Sequence, residues 1–145
     1  MRPLRSLISV RCRRWLSLWL VALLVISPGL GAGWDFSAIS TRTERLYGPA
    51  TPAARQRIAE WAALLNTPSQ GTIQDKLKQV NQFFNARMAF RDDIVVWKQQ
   101  DYWATPIEFL RKGAGDCEDF ALAKYFTLRE MGVPANQLRI TYVKA

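Results

Sequence analysis

A chain of 145 residues has room for one domain at most. Its net charge of +8 sits mainly at the start, because residues 1–32 hold five arginines and no acid, leaving 15 basic against 12 acidic side chains, or +3, for the rest. No basic run survives in that remainder, which excludes nucleic acid as a partner.

The first element reads as an export signal. "MRPLRSLISVRCRRW" is basic, "WLSLWLVALLVI" is apolar from Trp15 to Ile26 except for Ser17, and "SPGLGAGW" supplies a breaker and small residues. This is the layout of a secretory signal peptide over residues 1–32, cleaved near Gly31 to Gly33. The apolar run is short for a membrane span. The mature chain is therefore expected in the periplasm. Cys12 leaves with the signal, so Cys117 stands alone and cannot close an internal disulfide.

Residues 33–50 read as an irregular N-terminal arm, with turn residues at Gly48 and Pro49. The domain proper spans 51–145. Thr51-Pro52 opens a helix with an N-cap and a proline at the first position, and Ile58, Trp61, Ala62 and Leu65 mark its buried face. Thr72-Ile73-Gln74-Asp75 is a capping-box pattern, followed by the stripe Ile73, Leu77, Val80, Phe84 and Met88. "RDDIVVWKQQDYWA" predicts a loop or short extended segment. Thr105-Pro106 starts a short helix that stops at Gly113. Asp116 is a good N-cap for a helix from Cys117 to about Met131, ended by Gly132 and Pro134 and apolar on most of its circumference. "LRITYV", Leu138 to Val143, alternates as a strand does. These elements predict an α+β chain, helical with a single strand, and so the front half of a larger fold.

Cys117 lies among Asp116, Glu118 and Asp119. On residue chemistry alone two readings stand. The cysteine is a small core hydrophobe and the acids complement the helix dipole. Alternatively the helix N-terminus activates a thiolate and offers backbone donors to an oxyanion, with Gly113 and Gly115 admitting substrate backbone. The acids oppose the second reading, since their field raises a thiol pKa. A hard cation such as Ca²⁺, which takes oxygen ligands in irregular geometry, would cancel that field.

The segment "DYWATPIEFLRKGAGDCEDFALAKYFTLREMGVPANQLRITYVKA" resembles the bacterial transglutaminase-like cysteine proteinases, the family of the LapG periplasmic proteases, and "VNQFFNARMAFRDD" resembles them more loosely. The resemblance implies a papain/transglutaminase-like fold, with this chain as its N-terminal helical half and Leu138 to Val143 as one strand of an otherwise missing antiparallel sheet. It implies calcium-dependent cleavage of large surface adhesins in biofilm dispersal, under an inner-membrane receptor for cyclic-di-GMP. By position it makes Cys117 the nucleophile, Asp116 and Glu118 acids tied to calcium, and Asp119 a further ligand. Trp103, just upstream of the cysteine helix, is a candidate wall of the cleft.

The chain departs from the family in having no histidine. The family's histidine and aspartate lie beyond the last residues here, so the chain is expected to be truncated and inactive alone. A non-catalytic calcium- or receptor-binding module, and another acyl-transfer enzyme of the same fold, are the alternative readings.

Overall fold

The computed structural model describes residues 34–67, 71–141 and 143. The expected signal peptide over 1–32 lies outside the described residues. Among the described residues six helices and two short strands follow in order: α1 (Phe36–Tyr47), α2 (Pro52–Asn66), α3 (Ile73–Arg87), β1 (Ala89–Phe90), α4 (Asp93–Val96), α5 (Pro106–Lys112), β2 (Ala114–Gly115) and α6 (Cys117–Glu130). A 3-10 turn at Ala135–Gln137 comes last.

The helix starts are locally encoded. Thr51 accepts from the Ala54 amide at 3.1 Å, with Pro52 at the first helical position. Thr72 and Asp75 form a reciprocal capping box, and Thr105 with Glu108 forms a second. α5 ends at Gly113, whose φ of 76° is left-handed and suits glycine. The Arg57 guanidinium lies against that glycine and donates to the Leu110 and Arg111 carbonyls at 2.7 and 3.2 Å. These are carbonyls of the last turn of α5, which the helix itself leaves without partners.

α2 packs on α5, α3 packs on α6, and α5 packs on α6. Trp61, Val80, Phe84, Phe109, Leu110 and Ala123 are fully enclosed between them. Phe109 stacks on Phe84 and meets Phe120 edge-on. The Trp61 indole N–H is satisfied in the core by Thr127 Oγ1 at 2.9 Å, and the Thr127 hydroxyl bonds back to the Ala123 carbonyl. A buried indole needs such a partner, so α2 and α6 are pinned as well as packed.

Three local expectations change. Much of the stretch read as an irregular arm is α1, capped by Asp35, whose Oδ1 accepts from the Ser37 and Ala38 amides at 3.0 Å each. Trp34 and Phe36 then set their rings edge-on to Trp61. The stretch read as a loop or short extended segment, 91–104, contains the short helix α4. Leu138 to Thr141, read as the start of a strand, is irregular, and Val143 is irregular too. The alternating pattern supplies side-chain polarity but not a pairing edge, and an isolated strand does not persist. Among the described residues the sheet is the parallel pair β1–β2, with Ala89 opposite Ala114 and Phe90 opposite Gly115.

Candidate active site and cation site

The β1–β2 pairing places the start of α6. The Ala89 amide donates to the Gly113 carbonyl and the Arg91 amide to the Gly115 carbonyl, at 3.0 and 2.9 Å. This fixes the approach to Cys117, the first residue of α6, which is exposed. Gly115 is buried, and a Cβ there would lie 2.2 Å from Asp119 Oδ2. The two glycines expected to admit substrate thus serve the interior. Gly113 makes room for Arg57, and Gly115 makes room for Asp119.

Asp116 occupies the N-cap position, but its side chain makes no capping bond. This corrects the expectation of an ordinary cap. The carboxylate turns to other acids: single oxygens of Asp93, Asp116 and Asp119 lie within 4.8 Å of one another, as do those of Asp93, Asp101 and Glu118. The two groups share Asp93. Sequence reasoning named Asp116, Glu118 and Asp119; the fold distributes them over these two overlapping groups and adds Asp93 and Asp101.

The acids are unequally partnered. Asp119 is fully buried, and its Oδ1 accepts from the Ala104 amide at 2.8 Å. The Trp97 indole N–H approaches its Oδ2 at 3.5 Å. Asp93 is buried and accepts from the Tyr102 amide through Oδ2. Asp93 Oδ1 and Asp116 Oδ1 are buried without a hydrogen-bond partner among the described residues. Burial pushes the Asp116 pKa up, and the hydrogen bond and charge of Glu118, then the charges of Asp93 and Asp119, add to it, bringing it to about 7. Burial also raises that of Asp119 against its hydrogen bonds, the Ala104 amide's foremost.

Clustered carboxylates with orphaned buried oxygens are unfavourable as they stand. An all-oxygen donor set suits a hard divalent cation, and calcium in particular accepts six to eight oxygens in irregular arrangement. The residues present therefore fit calcium. Asp93, Asp116 and Asp119 would form one side of the site, with Asp101 and Glu118 at its more open end.

The remaining sequence candidate, Trp103, lies elsewhere. Trp103 is 46% exposed and lines an apolar recess of about 270 Å³ with Trp34, Leu122 and Phe126. Cys117 is not part of that lining. Lys124, which is not a sequence candidate, donates to Asn85 Oδ1 of α3 at 2.9 Å.

Residues 57–145 match the model of the bacterial transglutaminase-like cysteine proteinases. Among solved structures, calcium-bound LapG of Legionella pneumophila is 35% identical over 72% of this chain and 55% of that one, with a TM-score of 0.56. The EGTA-treated LapG gives the same identity and TM-score over 53% of its length. The comparison with curated proteins found no match. The chain thus spans about half the length of the LapG structures it matches. Its mostly helical architecture with a short two-stranded sheet matches part of their transglutaminase-like fold. With the family model covering most of the chain, and an exposed cysteine heading the helix after its glycine turn, the chain belongs to the bacterial transglutaminase-like cysteine proteinase family.

Proposed function

We propose that the chain provides the nucleophile and the cation site of a calcium-dependent periplasmic cysteine endopeptidase. Its substrate is a large surface adhesin whose cleavage releases cells from a biofilm. Its regulator is an inner-membrane receptor for cyclic-di-GMP. The observation that carries this reading is the exposed Cys117 at the head of α6 beside five carboxylates, two of them with orphaned oxygens. The calcium-bound and EGTA-treated forms of Legionella LapG add support for the choice of ion.

In this proposal Asp93, Asp116 and Asp119, with Asp101 and Glu118, hold calcium. When bound, the ion supplies positive charge that offsets the acids around the thiol. Cys117 Sγ attacks the scissile carbonyl carbon. The first-turn amides of α6, which the Asp116 side chain does not cap, face the developing oxyanion. The C–N bond breaks to leave a thioester on Cys117, and water then releases the acid and restores the thiol. The thiol proton must pass to a base and return to the leaving amine. This chain has no histidine, so the imidazole comes from the portion of the fold that LapG has and this chain does not span.

A second reading, carried by the same orphaned carboxylates, is a non-catalytic module that keeps the cation site. One experiment separates the two. A chimera joins this chain to the remaining part of Legionella LapG and is offered an N-terminal adhesin fragment. The enzyme reading expects cleavage that needs calcium and is lost in Cys117→Ser. A folded, calcium-binding chimera that leaves the adhesin intact would support the binding module instead.

A further inference from the structure

Trp97 and Tyr102 also line a cavity of about 410 Å³ whose walls include none of the five clustered carboxylates and which none of the readings above uses. This is within the size range of small-ligand sites. Tyr47, Trp97 and Tyr102 give it aromatic sides, with Pro49 and Ala50 beside them. The rings of Trp97 and Tyr102 pack at 4.6 Å between centroids.

Its charged groups are not matched to one another. Glu108 is 7% exposed, and its oxygens are already engaged by the Tyr102 hydroxyl at 2.8 Å, the Thr105 hydroxyl at 2.7 Å and the Thr105 amide at 2.9 Å. Arg111 is held by one nitrogen, Nη2, to the Gly48 carbonyl at 2.7 Å and the Tyr47 carbonyl at 3.3 Å. Its other nitrogen, Nη1, is buried with no acceptor among the described residues. Lys112 Nζ sits 5.2 Å from the centre of the Trp97 ring, with no carboxylate within ion-pair distance among the described residues. Two cations therefore border the cavity, one with an unsatisfied donor, while the single acid is occupied. A guanidinium with an unsatisfied buried N–H matches a carboxylate, and aromatic walls match a flat apolar body.

We propose that this cavity binds a carboxylate carried on a flat apolar body. The source is either a free aromatic acid or the C-terminal residue of a polypeptide. The site is distinct from the cation cluster, so it is tested with calcium chelated. The full chain is titrated in EGTA with phenylacetate and phenylacetamide, and with a short peptide ending in phenylalanine as its free acid and as its amide. Binding is followed by tryptophan fluorescence and calorimetry. At least one acid is expected to saturate at about 1 mM or tighter, with the matching amide about tenfold weaker. Phenylacetate binding alone assigns a free acid, and peptide-acid binding alone assigns a chain end. Arg111→Gln should abolish binding. Because Arg111 also anchors the Tyr47–Gly48 backbone, the exposed Lys112→Gln serves as the second variant, expected to weaken binding about fivefold with the circular dichroism unchanged. Equal affinity for acid and amide, no saturable binding of either acid, or unchanged affinity in Lys112→Gln would overturn the proposal.

Discussion

The helical frame and the carboxylate cluster solve the burial of polar groups in opposite ways. In the frame, the enclosed polar side chains of the core close on neighbours: Trp61 on Thr127, Thr127 on Ala123, Glu108 on Thr105 and Tyr102, with Arg111 Nη1 at the frame's edge the exception among the described residues. In the cluster, Asp93 and Asp116 each keep a buried oxygen with no partner among the described residues. The core of the frame is therefore satisfied from within, whereas the cluster is built for something added. The contrast teaches where stability resides and where function does: substitutions in the frame should unfold the chain, and substitutions in the cluster should change its response to a cation.

The largest effect belongs to the frame. Trp61→Ala removes a fully buried indole, its bond to Thr127 and the surface that receives Trp34 and Phe36. It should destabilise the chain by about 3–5 kcal/mol, enough to abolish a cooperative transition in urea. A folded variant would show that the frame is less closed than described.

Calcium should give the next largest effect, and only through the cluster. At a hundredfold excess over its dissociation constant it should stabilise the chain by about 2.7 kcal/mol. The double change Asp93→Asn with Asp116→Asn should erase that gain while raising stability in chelator, since it removes charge where charge is unfavourable. Thermal melts with calcium and with EGTA read both. A calcium gain that survives in the variant would move the ion elsewhere.

The same comparison gives a pH dependence. Asp116 has its pKa raised from 3.8 to about 7, so the folded chain binds its proton more tightly than the unfolded chain does. Without calcium, this group's contribution to stability is present below about pH 4 and is lost as pH rises towards 7. Asp116→Asn should flatten that part of the profile. A stability that rises over the same interval in both proteins would contradict the assignment.

Gly115→Ala tests the seam between the two regions. The new methyl group would meet Asp119 Oδ2 at 2.2 Å, so Asp119 or β2 must shift. The expected loss is about 1–3 kcal/mol, together with weaker calcium binding. Thr72→Ala, far into the frame, should remove only a capping box, for about 1 kcal/mol, and leave calcium affinity unchanged.

What could be read from sequence divides along the same line. Helix starts at Thr51, Thr72 and Thr105 were legible because a cap and its partner lie three residues apart. α1 was missed although Asp35 is an ordinary cap, because Gly48-Pro49 and the polar run after Phe36 mask its packing against Trp61. Cys117 and its adjacent acids stood out as a local cluster. Asp93 and Asp101 did not, since only the fold of the 91–104 segment against α6 brings them near. Nor could spacing reveal that Asp116 turns away from its cap position or that Gly115 is reserved for Asp119. The alternation in Leu138 to Val143 was a true pattern that local signals alone could not convert into a strand.

The central claim is that the carboxylates hold a cation which serves Cys117. Its most direct test is the pH dependence of iodoacetamide labelling of Cys117, in a Cys12→Ser background, with calcium and with EGTA. The account predicts that calcium shifts the labelling profile to lower pH and speeds labelling near neutrality. It also predicts that Asp116→Ala with Glu118→Ala removes the shift. The same profile in both conditions, with no calcium binding by calorimetry, would contradict it and return the acids to the role of a charged helix start.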